Sequence, residues 1–259
     1  MVGVYGLDGE KVSDAALPSV FETGVRRDLI KRAVISLQTH RLQAYGPSWM
    51  AGKDTSAFSY GPGRGLARLP RVTGGGPARG RGAIVPYAVG GRRAHPPVPE
   101  RVLSKKLNRK ERLLATASAV AATADKEIVE SRGHRVDGVS EFPVVVVDGF
   151  EGLSKTKDVS LALAKLGCSS DLERAKSKSI RSGKGTKRGR KYKRKKSVLI
   201  VVSSDASLSK AAGNISGVDV TSVKNLNAAH LAPGANPARL TVYTESALKE
   251  LEMRFSEAI

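Results

Sequence analysis

The chain has 259 residues, 40% of them apolar, and a formal net charge of +20. That length and apolar content exclude a wholly disordered chain and allow one large domain or two, while the charge points to a polyanionic partner. A single cysteine, Cys168, excludes an internal disulfide and any cysteine metal cluster within the chain, and agrees with a reducing compartment.

The opening "VGVYGLDGEKV" predicts two short strands about the turn pair Asp8-Gly9. From Pro18, Phe21, Val25, Leu29, Ala33 and Leu37 recur every four positions, which predicts an amphipathic helix running to about Ala44. Residues 46–101 then hold 12 of the 27 glycines and 8 of the 12 prolines and show no apolar period. They predict a loop of 56 residues. Backbone ordering costs about 1–2 kcal/mol per residue, more than the few apolar side chains here recover, so the loop is expected to be mobile alone and ordered by its partner.

Leu107, Leu114, Ala117, Ala121, Ala124 and Ile128 predict a second helix, with Asn108 and Glu111 as its capping box. "FPVVVVD" (142–148), "SVLIVVS" (197–203), "GVDVTSV" (217–223) and "RLTVYT" (239–244) read as strands. Helices are expected at 155–177, near 205–213, and from Thr244 with Leu248, Leu251 and Phe255 on one face. Unbroken apolar strands alternating with helices predict an α/β fold, a mainly parallel sheet covered by helices on both sides. The expected organisation is one globular domain of residues 1–45 and 102–259, with 46–101 as an extended Gly/Pro/Arg-rich loop and 178–196 as a basic run within the domain. The longest apolar runs have strand length, and the N-terminus lacks a charged-then-apolar signal, so a soluble cytoplasmic protein with no membrane partner is expected.

The charge is unevenly placed. Residues 46–101 carry nine Lys and Arg against two acids, and 178–196 carry eleven against none, which leaves the other 184 residues near +2. In the first segment the charge comes as Arg64, Arg68, Arg71, Arg79, Arg81, Arg92, Arg93 and Arg101 beside Lys53, with Trp49, Phe58, Tyr60 and Tyr87 available for stacking. Arginine offers phosphate a planar donor fork and stacks on exposed bases. In the second, Lys184, Lys187, Arg188, Arg190, Lys191, Lys193 and Arg194 surround Tyr192. A flexible linker and a solvated charge run are the alternatives for the two segments. Against them stands the position of both segments between core elements.

Other chemistry lacks its pattern. "SGKGTK" (182–187) has no upstream P-loop spacing, and neither G-x-G-x-x-G nor G-x-S-x-G occurs, so no cofactor is expected. His40, His95, His134 and His230 are scattered without metal-ligand spacing, and His95, between Arg93 and Pro96, is a candidate RNA contact. Asp148 ends an apolar strand, where it either caps the chain or, in an alternative reading, serves a nucleic-acid-modifying enzyme. Cys168 is expected to be a packing residue.

The blocks "GRGLARLPRV" (63–72), "VGGRRAHPP" (89–97), "GRKYKRKKSVLIVVS" (189–203) and "APGANPARLTVYTESAL" (232–248) resemble the archaeal and eukaryotic branch of the universal ribosomal protein four family of the large subunit. "LPSVFETGVRRDLI" (17–30) and "AATADKEIVESRGH" (121–134) extend the resemblance to nearly the whole chain, and the lack of a long C-terminal extension favours the archaeal type. The resemblance implies a non-enzymatic constituent of the cytoplasmic ribosome: an α/β domain on the large subunit and an internal loop reaching into large-subunit ribosomal RNA. Its partners would be that RNA, neighbouring ribosomal proteins and the nascent peptide at the exit-tunnel wall, with no homo-oligomer. "SYGPGRG" (59–65) matches the family's tunnel-side motif, so Gly61, Pro62, Gly63 and Arg64 are expected at the loop tip. Pro62 stands where relatives commonly have Thr or Ser, which removes a hydroxyl and stiffens the turn. A free-standing regulator of its own messenger RNA is a further alternative and is compatible with the ribosomal role.

Overall fold

The computed structural model describes residues 1–204 and 207–256, and the chain divides into two compact units, one of residues 1–38 and 105–259, the other of residues 39–104. In the first unit, β1 (Val2–Tyr5) and β2 (Lys11–Ala15) form the expected antiparallel hairpin. Gly9 makes the turn at φ +82°, a conformation glycine adopts without strain.

The long N-terminal helix differs from expectation. A 3-10 turn at Ser19–Glu22 is separated from α1 (Arg27–Thr39) by an irregular break. Ser118, on α2 (Arg109–Ala121), fills that break: its Oγ accepts from the Arg26 N–H at 2.6 Å and donates to the Gly24 carbonyl at 2.9 Å. Those two bonds replace the helical ones the chain gives up at Gly24. The second predicted helix is also divided, into α2, a 3-10 turn at Ala122–Ala124, and α3 (Lys126–Ser131). Asp125 causes the division by capping α3, accepting from the Glu127 and Ile128 N–H groups at 3.0 and 3.4 Å. Asn108 does hold the N-cap of α2, but its side chain makes no capping bond, and Glu111 pairs instead with Arg32 at 3.4 Å.

Downstream, β3 (Val144–Val146), α4 (Thr156–Leu163), α5 (Ser169–Lys176), β6 (Leu199–Val202), α6 (Leu208–Ala212), β7 (Asp219–Ser222), β8 (Thr241–Thr244) and α8 (Glu245–Phe255) follow the predicted alternation, and a short helix that the sequence reading did not expect, α7 (Ala228–Leu231), stands between β7 and β8. Part of the helix expected at 205–213 lies outside the described residues. Between α5 and β6 stand two strands that the sequence reading treated only as a charged run: β4 (Lys178–Ile180) and β5 (Tyr192–Arg194), an antiparallel pair.

The main sheet has the order β2-β1-β3-β8-β6-β7, parallel throughout except for β2. Strand alternation sends Val145, Leu199, Val201 and Tyr243 to one face, where α1, α2, α7 and α8 cover them. Val144, Val146, Ile200, Val202 and Val242 point to the other, under α3, α4, α5 and α6. Tyr243, fully buried, meets Thr123 at 2.9 Å between hydroxyls and Phe21 edge-on at 5.6 Å. This is the α/β class expected, with both faces of the sheet covered. No described helix is long and apolar enough to cross a membrane.

The second unit contains no helix or named strand between Arg41 and Ser104, all of whose residues are described. Its order comes from turns and two isolated antiparallel bridges, Phe58 with Arg71 and Arg71 with Gly82. Arg71 thus lies in the middle of three passes of chain. The Val72 N–H donates to the Arg81 carbonyl and the Gly80 N–H to the Val72 carbonyl, both at 2.9 Å, closing a narrow irregular hairpin around Gly74–Gly76.

Candidate nucleic-acid interface

Within the second unit the expected tip is built from local contacts. Phe58 and Tyr60 pack edge to face at 5.4 Å, and the Arg64 guanidinium lies 5.6 Å from the Tyr60 ring centre. Gly61 and Gly63 hold φ of +76° and +83°, which lets the chain fold the Arg64 side chain back over Tyr60. A Cβ on either glycine would meet nothing within 4 Å, so backbone conformation and not crowding favours glycine there. Arg64, Arg68, Arg79, Arg81, Arg93 and His95 are exposed, as are Pro62 and Gly63.

Arg71 and Arg92 differ from the others in being half-buried. Arg71 Nη1 donates to the Gly80 carbonyl at 2.8 Å, and Arg92 Nη1 donates to the carbonyls of Arg93 and Ala94 at 3.3 and 3.4 Å. Both arginines therefore brace the unit's own backbone. Sequence reasoning treats them like their neighbours because composition does not distinguish a bracing arginine from a free one.

In the first unit the basic run is a hairpin. Lys178 pairs with Arg194, Ser179 with Lys193 and Ile180 with Tyr192, and the Arg181 N–H donates to the Lys191 carbonyl at 2.8 Å. A 3-10 turn at Thr186–Arg188 closes it, with the Thr186 hydroxyl donating to the Arg181 carbonyl at 2.6 Å. Lys184, Lys187, Arg188, Arg190, Lys191, Tyr192, Lys193 and Arg194 are all exposed. Tyr192 lies between two cations, with Lys178 and Lys191 Nζ at 5.5 and 5.6 Å from its ring. An extended pair spreads these charges over both faces of a ribbon, as strand alternation requires.

The hairpin's roots are held by a buried polar network that the sequence did not disclose. Arg174 Nε donates to Asp171 Oδ1 at 2.7 Å, and its Nη2 donates to the Lys196 carbonyl at 2.8 Å, joining α5 to the chain leaving β5. Asp171 also accepts from the Ser197 hydroxyl at 2.6 Å, and from His134 Nδ1 at 3.1 Å. Burial alone would raise the Asp171 carboxyl, but the bonds from His134, Arg174 and Ser197 hold it well below the usual carboxylate range. His134 Nε2 accepts from the Leu240 N–H at 3.4 Å, which assigns the proton to Nδ1 in the neutral ring. Burial, with Arg174 and Arg132 nearby, pushes the His134 pKa down against the pull of Asp171.

Arg239, Asp219 and Lys196 complete the anchor. Arg239 donates to the carbonyls of Ser197, Val198 and Gly217 and pairs with Asp219 at 2.7 Å, and Lys196 Nζ reaches both Asp219 oxygens at 2.8 Å. No motif spacing marks these residues: they converge from three separated segments.

The opposite end of the sheet carries the residues that an enzyme would use, and they are occupied. Asp148 Oδ1 accepts from the Ser246 N–H at 2.8 Å in the first turn of α8. Glu151 accepts from the Ser203 N–H at 2.8 Å and from the hydroxyls of Thr244, Ser203 and Ser246 at 2.7, 3.1 and 3.3 Å, which keeps its carboxyl low despite partial burial. The strand ends that often hold ligands in α/β sheets are here tied together by these two carboxylates. Cys168 is buried, and burial pushes its thiol up to about 12. Among the described residues no group of three or more His, Cys, Asp or Glu is placed to hold a metal.

Comparison with known proteins follows the same lines. The family described as "Ribosomal protein L4/L1 family" matches residues 15–254. The chain is 51% identical over 255 residues to the "Large ribosomal subunit protein uL4" of Methanococcus maripaludis, covering 98% of this chain and 99% of that protein. It is 50% identical to the protein of the same name in Methanopyrus kandleri, over 98% of each chain, and 49% identical to that of Halobacterium salinarum, over 98% of this chain and 99% of the relative. The chain belongs to the ribosomal protein L4/L1 family, in its archaeal type, a family of structural ribosomal proteins and not of enzymes.

Proposed function

We propose that the protein is a structural constituent of the large ribosomal subunit in the cytoplasm, and that it binds large-subunit ribosomal RNA through two surfaces. One is the glycine- and arginine-rich segment of residues 46–101. The other is the β4–β5 hairpin. The observation that carries this reading is the hairpin itself: eleven cations and no acid on residues 178–196, presented from roots that Asp171, Arg174 and Arg239 hold to the sheet. A ribbon so held presents its charge at a defined place, as phosphate binding with fixed register requires. Counterion release then makes affinity fall steeply with salt, at a log–log slope of roughly −7 to −9 for about ten phosphates.

Gly61, Pro62, Gly63 and Arg64 are assigned to the wall of the nascent-peptide exit tunnel by the family motif they match. The packing of Arg64 over Tyr60 supports a compact tip. Neighbouring large-subunit proteins and the nascent peptide are the further partners, and assembly of the subunit is the process served. Gradient sedimentation tests the reading: the protein should travel with intact large subunits at moderate salt and leave them only at high salt. A protein that stays at the top of the gradient under both conditions refutes it.

A further inference from the structure

The second unit contains a cavity of about 450 Å³, within the roughly 300–1,000 Å³ of small-molecule sites. Residues 47–53 form one wall and residues 91–97 the other. Turn bonds shape the first wall, Ala51 N–H to the Ser48 carbonyl at 3.0 Å and Lys53 N–H to the Met50 carbonyl at 2.8 Å. Gly52 brings the walls together: at φ +76°, a Cβ there would stand 2.8 Å from the Arg92 Cα. Trp49, the only tryptophan in the chain, is 78% exposed beside this cavity.

The lining has two characters. Trp49, Pro96 and Pro97 offer flat apolar surface, and Lys53, Arg92 and Arg93 supply three cations with no carboxylate among the lining residues. Flat apolar surface suits a planar ring, and unopposed cations suit phosphate. An indole so exposed gains by covering its face, which a stacked base does.

We infer that this cavity receives one unpaired nucleotide of the bound RNA, its base stacked on Trp49 and its phosphates met by Lys53 and Arg93, with Arg92 holding the wall on which Arg93 stands. The inference rests on the RNA-binding reading above and assigns to it a site of base recognition. The nucleotide comes from a single-stranded segment, because bases within a duplex have no free face to stack.

Trp49 is its own reporter, since no other tryptophan contributes fluorescence. The full chain is titrated at low salt with a hexamer of adenylate and, separately, with an abasic hexamer carrying the same phosphates. The expected result is quenching of Trp49 by the adenylate hexamer only, and about 5- to 100-fold tighter binding of that hexamer than of the abasic one. Anisotropy of a labelled adenylate hexamer should show Trp49→Ala weakened by a similar factor and Trp49→Phe close to the parent chain. Equal binding of both hexamers without quenching, and with Trp49→Ala unaffected, overturns the site while leaving the RNA-binding reading intact. Failure of the full chain to bind either hexamer or a large-subunit RNA fragment at low salt overturns both.

Discussion

Arg239, only 1% exposed, pairs through Nη1 with Asp219 at 2.7 Å and at the same time donates from Nε to the Ser197 carbonyl at 2.6 Å. One guanidinium thereby joins the chain entering β8, the first residue of β7 and the chain entering β6. Burial depresses its pKa, and Asp219 and Asp171 oppose that effect.

Removing this side chain leaves four carbonyls, those of Ser197, Val198, Gly217 and His230, and a carboxylate without their donor fork. Arg239→Met is expected to lower stability by about 3–5 kcal/mol, the usual cost of breaking a buried charged network from one side. Arg239→Lys should recover little of it, because a single ammonium does not span these acceptors in the plane a guanidinium fits. Urea unfolding followed by circular dichroism checks both values, and a loss below 1 kcal/mol for Arg239→Met refutes the role assigned to it.

Stability should also depend on pH through His134. Its pKa is lowered from 6.5 in the folded protein, so the unfolded chain binds the extra proton first. Stability then falls as pH drops below about 6.5, until the folded-state pKa is passed. Asp171, Asp219 and Glu151 have depressed carboxyls, so their contribution is complete above about 4 and is lost as pH falls further. Two descending steps are therefore expected in unfolding free energy between pH 7 and pH 2. In His134→Gln the upper step should disappear, and its persistence there would assign that step to another group.

Residues 60–82 should be separable from the fold. Both apolar clusters of the sheet are built from residues of the first unit. Phe58 and Gly82 both bridge to Arg71, so the cut ends lie about two strand spacings, roughly 10 Å, apart and two glycines span them. The shortened chain is expected to keep its α/β circular dichroism and thermal midpoint yet fail to enter functional large subunits. In binding to a large-subunit RNA fragment, loss of the exposed Arg64, Arg68, Arg79 and Arg81 should reduce the salt slope by roughly three to four. Normal assembly and translation with the shortened chain would count against the loop's role.

How far the sequence disclosed all this depends on whether a feature is periodic. The strands around Val144, Leu199 and Thr241 were readable because each is a short apolar run, and α8 because Leu248, Leu251 and Phe255 keep helical spacing. The break before α1 was not readable, since Val25 continues the apolar period. What ends the helix there is Ser118, 92 residues from Arg26. The positions of the cations were plain from charge counting, but their arrangement as a ribbon was not, because "KSI" and "YKR" show no alternation of apolar and polar residues. The root network is non-local throughout: His134, Asp171, Ser197 and Arg239 become neighbours only after the sheet forms.

The ribbon offers the cleanest separation of charge from fold. The hairpin's hydrogen bonds at Arg188 and Arg190 use their backbone atoms, and the side chains of Lys184, Lys187, Arg188 and Arg190 are exposed. Replacing these four with Gln should therefore leave stability within about 0.5 kcal/mol, as for surface changes generally. RNA affinity should drop for every sequence tested, and the log–log salt slope should shrink by about three to four, one phosphate per cation. A drop confined to one RNA sequence would mean that these side chains read bases. A slope unchanged after all four replacements would place the phosphate contacts elsewhere on the chain.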